Sequence, residues 1–171
     1  MVTASDPKGP WSDPIPLNKM GFDPSLFHDP DGTKWLVNML FDYRLDHKRF
    51  GGVGVQQYDP ETKKLVGPVY NVFKGSDKGT TEGPNIFYHD GWYYLVTAEG
   101  GTEFKHCVTM CRSEKLTGPY EISPYVPVLT SFGKDVQLKR AGHGQIIQGK
   151  DGNWYMAHLC SRSLGDCSIT G

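Results

Sequence analysis

The stretch Glu82-Gly83-Pro84-Asn85-Ile86-Phe87-Tyr88-His89-Asp90-Gly91-Trp92-Tyr93-Tyr94-Leu95-Val96 decides the fold. It reads as a short apolar strand, an Asp-Gly turn and an aromatic-rich second strand, which together make a β-hairpin. Glu82 stands eight positions before Asp90-Gly91. The same spacing separates Asp23 from Asp31-Gly32 and His143 from Asp151-Gly152. From Asp23 to Glu82 is 59 residues, and from Glu82 to His143 is 61. A repeat of this length, built of short strands, is the signature of a propeller blade. The spacing puts Asp23, Glu82 and His143 at one innermost station of successive blades, where they converge on a shared axis.

Each unit opens on an apolar strand, at Phe22 to Phe27, Pro84 to Tyr88 and Gln145 to Ile147. Asp-Gly supplies the positive φ angles of a tight turn. The second strands are Trp35 to Val37, Trp92 to Val96 and Trp154 to Ala157. An aromatic recurs four residues after each turn Asp, as Trp35, Tyr94 and Tyr155. Its spacing predicts packing between blades. Third strands follow at Gly54 to Tyr58 and Cys107 to Arg112. The pairs Gly9-Pro10, Gly67-Pro68 and Gly118-Pro119 then suit the start of outer edge strands, because Pro has no N–H to donate.

No segment keeps apolar residues at helical spacing, so the chain reads as all-β. Residues 1–17 look like the end of one blade, 18–75 and 76–128 like full blades, and 129–171 like half of another. Extra loop residues are expected near Ser131 to Leu138. About two and a half blades cannot close a ring of four to eight. The pattern therefore predicts an incomplete segment of a propeller.

Eighteen Lys and Arg against 19 Asp and Glu leave the chain near neutral, and no basic stripe marks a nucleic-acid partner. No apolar run is long enough for a membrane span. The first residues lack the apolar stretch of a signal peptide, and compartment is left unassigned. The 12% aromatic content supplies a core for a Gly- and Pro-rich β protein. Cys107, Cys111, Cys160 and Cys167 lack the CxxC spacing of a zinc site and read as buried free thiols.

Singly, each of the three repeat-phased residues has an ordinary explanation. Asp23 before Pro24 initiates turns, Glu82 suits a solvated loop, and His143 between two glycines suits a backbone-bonded structural role. Together, two carboxylates and an imidazole around one cavity suit acid–base hydrolysis of a glycosidic bond. A glutamate with an ordinary pKa near 4.3 is ionised at neutral pH and cannot serve as a general acid. A second carboxylate about 6 Å away, at an effective dielectric near 20, disfavours the ionised form by roughly 2.8 kcal/mol, or about two pKa units. Asp23 is thus expected to supply most of the shift that Glu82 needs.

The segments Gly9-Pro10-Trp11-Ser12-Asp13-Pro14-Ile15, Gly21-Phe22-Asp23-Pro24-Ser25-Leu26-Phe27, Thr81-Glu82-Gly83-Pro84 and Ala141-Gly142-His143-Gly144 resemble those of glycoside hydrolase family 43. The likeness is strongest to its β-xylosidase and α-L-arabinofuranosidase branch. Arg49-Phe50-Gly51-Gly52, Leu95-Val96-Thr97-Ala98-Glu99-Gly100-Gly101 and Trp154-Tyr155-Met156-Ala157-His158-Leu159 extend it nearly end to end. The resemblance implies a five-bladed propeller and an inverting hydrolase. Glu82 matches the general acid, and Asp23 the aspartate that orients it and adjusts its pKa. His143 matches a central histidine associated with a water or metal ion, so calcium at the axis is the one cofactor implied, and none is required. The water-activating aspartate matches no residue here; it would belong to a strand preceding Met1.

Arg49 and the aromatics Phe41, Tyr43 and Phe50 are expected near the sugar pocket, with His143, Arg49 and Phe50 as substrate-binding residues. Trp92 and Trp154 are expected to pack. Asp42 and Glu99 stand as substitute bases. The implied partner is a xylo- or arabino-oligosaccharide. The alternative is a carbohydrate-binding propeller remnant that kept the pocket and lost the chemistry.

Overall fold

The structure is a computed structural model that describes residues 1–162; the last part of the proposed half blade lies outside the described residues. No helix occurs among them, as the sequence pattern requires. Strands β1 (Phe22–His28), β2 (Lys34–Phe41), β3 (Phe50–Asp59) and β4 (Lys64–Phe73) form an antiparallel meander in the order β1-β2-β3-β4. A second meander runs β5 (Glu82–His89), β6 (Trp92–Glu99), β7 (Cys107–Ser113) and β8 (Glu121–Ile122), with β9 (Leu129–Thr130) also pairing to β7. Strands β10 (Leu138–Gln148) and β11 (Trp154–Arg162) form a third sheet.

β2 and β3 are buried along most of their length, so both their faces are covered, as in stacked sheets. Phe27, Val37, Val53, Val55, Val72, Leu95, Cys111 and Leu116 form one core that spans the first two sheets. β5 packs on β1 and β2, and β10 packs on β5, β6 and β7. Ser25 Oγ donates to Pro84 O at 2.7 Å, and Tyr93 OH to the carboxylate of Asp29, which tie the first sheet to the second.

All the strands expected from the sequence are present, but most run further than expected. Pro24 lies within β1 and Pro84 within β5, and pairing resumes beyond each through a bulge. The three Asp-Gly turns also differ from one another. His89 pairs with Trp92, so Asp90-Gly91 is a two-residue turn with φ of 46° and 82° at its two positions. The other two hairpins close at His28↔Lys34 and Gln148↔Trp154, around five-residue loops. There the Asp31 and Asp151 carboxylates accept from the N–H of Thr33 and Asn153, and only the glycines take positive φ.

Gly67-Pro68 lies inside the edge strand β4, beside a register shift, rather than at its start. Gly118-Pro119 falls just before β8, and Gly9-Pro10 lies in no strand. Trp35 is half-buried and Tyr94 stacks on Phe87 at 5.0 Å, whereas Tyr155 is 51% exposed and does not pack in the core. Trp154 reaches across to Phe87 and His89, and Trp92 lies under the Arg112 guanidinium. Cys107 and Cys111 are buried free thiols. Cys160 is an exposed one, because β11 has an open face, and Cys167 lies outside the described residues.

Candidate active site

The first strand of each sheet carries a bulge at the same place. Register slips between Phe22 and Ser25, between Glu82 and Asn85, and between Gly142 and Gln145. Two residues there oppose one: Asp23-Pro24 face Asn38, Gly83-Pro84 face Thr97, and His143-Gly144 face His158. Such a bulge re-aims the side chains at the inner end of its strand. Asp23, Gly83 and His143 all adopt left-handed backbone, with φ of 51°, 53° and 49°.

This register corrects the spacing argument by one residue. The counterpart of Asp23 and His143 is Gly83, while Glu82 shares its station with Phe22 and Gly142. Counting back from Asp-Gly misplaces Glu82 because its hairpin has the shorter turn and a longer strand. The convergence nevertheless holds. Asp23 Oδ2 accepts a hydrogen bond from the Gly83 N–H at 3.0 Å. The His143 ring covers Gly83 so closely that a Cβ there would stand 2.5 Å from Nε2. The two repeat partners thus bracket the peptide that follows Glu82. A side chain at residue 83 would push His143 away, so space requires glycine, and its left-handed φ suits one.

Glu82, Asp23 and His143 are each partly exposed. The Glu82 carboxyl is held above the ordinary carboxylate range. Burial is the main cause, the Asp23 charge adds to it, and the His143 ring opposes it. The expectation that Asp23 supplies most of the shift therefore gives way to burial. Asp23 contributes second, and it also holds the neighbouring backbone.

A cleft of about 410 Å³ opens beside Glu82, walled by Phe22, Met39, Phe41, Lys48, Arg49, Phe50, Thr80 and Thr81. Arg49, Phe50 and Phe41 thus share a cavity with Glu82. Tyr43 lies in an adjoining depression, 69% exposed, with its ring 5.6 Å from that of Phe41. Phe22, whose ring lies 5.4 Å from Phe41, was not singled out in the sequence. Its phase matches that of Glu82, a signal the corrected repeat would have exposed.

The two substitute bases are already engaged. Glu99 is fully buried and accepts from Ser76 N at 2.8 Å, from Ser76 Oγ, and from Thr81 Oγ1 at 2.6 Å. Asp42 is paired with Arg44 and His47, and the Arg44 hydrogen bonds hold its carboxyl well below the usual range. His106, also not singled out, lies flat against Gly142 and fills the space that a side chain at the Glu82 station would take. Its Nδ1 bonds Arg140 O at 2.9 Å, and burial followed by the nearby His143 lowers its pKa.

Among the described residues no three His, Cys, Asp or Glu side chains gather into a metal-binding group. Calcium takes six to eight oxygen ligands, so the residues around the His143 imidazole do not by themselves fit it.

The family model "Glycosyl hydrolases family 43" matches residues 1–171. A xylan 1,3-β-xylosidase from a Vibrio species is 50% identical over 96% of this chain and 31% of its own length. Xylosidase/arabinosidase 43B of Humicola insolens is 52% identical over 95% of the chain and 30% of its length. The crystal structure of xylan β-1,4-xylosidase from Bacillus halodurans C-125 superimposes with a TM-score of 0.92 at 53% identity, over 96% of this chain and 32% of that one. The chain thus spans about a third of the length of the relatives it matches. On the strength of a match over its whole length, the chain belongs to glycosyl hydrolases family 43.

Proposed function

We propose that these residues are part of a glycoside hydrolase that cleaves β-xylosides or α-L-arabinofuranosides with inversion at the anomeric carbon. The observation that carries the reading is the Glu82 carboxyl. It is raised in pKa, opens on an aromatic cleft, and is flanked by the Asp23–Gly83 hydrogen bond. Glu82 protonates the glycosidic oxygen as the bond to the anomeric carbon breaks. A second carboxylate on the opposite face deprotonates the attacking water. Asp23 adds to the rise in the Glu82 pKa that burial causes, and fixes the backbone beside it. Arg49 and Phe50 contact the sugar from the cleft wall, and His143 buttresses Gly83 and borders the sugar.

The base is proposed to come from sequence outside these 171 residues, since the substitutes Asp42 and Glu99 are committed to other partners. In the same reading residues 1–17, which carry no strand, are the end of one blade, and the three sheets are two blades and half of a third in a five-bladed propeller. Their successive antiparallel meanders, stacked through their first strands, support that architecture.

Proton NMR of the first sugar released by the intact protein from 4-nitrophenyl β-D-xyloside or α-L-arabinofuranoside tests the reading. The anomer opposite in configuration to the substrate is expected first. Release of the retained anomer, or of no sugar, contradicts it.

A further inference from the structure

We propose that Glu99 is a positioning residue for the general acid, acting through Thr81 to fix the backbone from which Glu82 projects. The proposal rests on the reading of Glu82 as the acid and extends it to a buried residue that does not line the cleft.

The connection from β4 to β5 runs from Lys74 to Thr81 and delivers Glu82 at its end. One buried carboxylate gathers both ends of that connection. Glu99 Oε1 accepts from the Ser76 N–H near the start and from the Thr81 hydroxyl at the finish, while Oε2 accepts from the Ser76 hydroxyl. Gly100 N–H adds a bond to Gly79 O at 2.8 Å in the middle. Thr81 is 1% exposed and Glu99 0%, so neither has water as a substitute partner. The space is tight as well. A Cβ on Gly75 would stand 2.6 Å from Thr81 Oγ1 and 3.0 Å from the ring of Phe50.

Glu99 itself is anchored on β6, paired to β7 through Cys107. The acid's own strand thus begins at a point held from the neighbouring strand by hydrogen bonds to a charged acceptor, which are stronger than neutral ones. Glu82 is therefore fixed from two sides: through Thr81 by Glu99, and through Gly83 by Asp23. A misplacement of about 1 Å at a reacting group can lower rate a hundredfold, which is what this double hold prevents.

The experiment compares leaving groups in the intact protein. A 2,4-dinitrophenolate departs without a proton, whereas the sugar leaving group of xylobiose needs one. A misplaced acid therefore slows xylobiose selectively, while partial unfolding slows both substrates equally. Thr81→Val removes the hydroxyl and keeps the volume, Thr81→Ser restores the hydroxyl, and Glu99→Gln weakens the acceptor. Thr81→Val and Glu99→Gln are expected to lower kcat on xylobiose about 10- to 100-fold and on 2,4-dinitrophenyl β-xyloside less than about threefold, with Thr81→Ser near wild type.

An equal fall on both substrates, or no fall on either, overturns the proposal. Thr81→Val decides alone if Glu99→Gln does not fold. Glu82→Gln serves as the reference. If it shows no leaving-group dependence, the assignment of Glu82 as acid fails, and the proposal fails with it for that separate and recognisable reason.

Discussion

The carboxylate of Asp23 and the backbone N–H of Gly83 lie 3.0 Å apart across 60 residues of sequence. Through this bond one repeat unit holds the peptide that follows Glu82 in the next. Asp23 thereby has two effects on Glu82: its charge raises the pKa, and its hydrogen bond fixes the peptide that follows.

Asp23→Asn separates these effects, because the amide oxygen still accepts from Gly83 while the charge is gone. A general acid works protonated, so the alkaline limb of the kcat/KM profile follows the Glu82 pKa. Removing a raising influence moves that limb to lower pH. The limb is expected to keep part of its elevation, since burial is the larger cause. A pH profile of the intact variant measures the shift, and an unmoved limb contradicts the electrostatic role.

Gly83→Ala forces a left-handed φ of 53° on a residue with a Cβ and drives that Cβ to 2.5 Å from His143 Nε2. Strain and overpacking together are expected to cost about 2–4 kcal/mol. Urea unfolding of the variant measures this, with a loss under about 0.5 kcal/mol as the contrary result.

Leu95 is fully buried at the centre of the core shared by the first two sheets. Leu95→Ala is expected to destabilise by about 2–5 kcal/mol, the usual range for a core cavity. The same measurement on Leu45→Ala, at a fully exposed position, is expected to show a change within about 0.5 kcal/mol.

His106 has its folded-state pKa lowered below the ordinary histidine value, mainly by burial. The unfolded chain then binds the proton more readily. The contribution of His106 to stability is present above about pH 6.5, the unfolded pKa, and is lost as pH falls toward the lower folded value. Thermal melts of wild type and His106→Asn between pH 5 and 8 are expected to converge at the acidic end. Parallel curves would contradict this.

The all-β architecture and the convergence of Asp23, Glu82 and His143 were legible in the sequence, because a repeat of hairpins carries its own phase. The register of Glu82 was not. Asp90-Gly91 closes a two-residue turn while its counterparts sit in five-residue loops, and nothing in the Asp-Gly pairs distinguishes the two. The bulges were also hidden, since nothing in the sequence marks Asp23-Pro24, Gly83-Pro84 or His143-Gly144 as a pair opposing a single residue. Glu99 stood out as a carboxylate, but its role depends on Ser76 and Thr81, partners more than 15 residues away whose approach only the folded chain shows. Arg49 and Phe50 could be placed near Glu82 because they follow the second strand of the preceding unit.

The central claim is that Glu82 is the proton donor of a glycosidase. Its most direct test is the kcat/KM of Glu82→Gln in the intact protein, measured on xylobiose beside the wild type. Loss of a positioned general acid is expected to lower it about 10²- to 10⁴-fold, with the fold and thermal midpoint of the variant unchanged. A variant that keeps activity within about threefold of wild type would contradict the account.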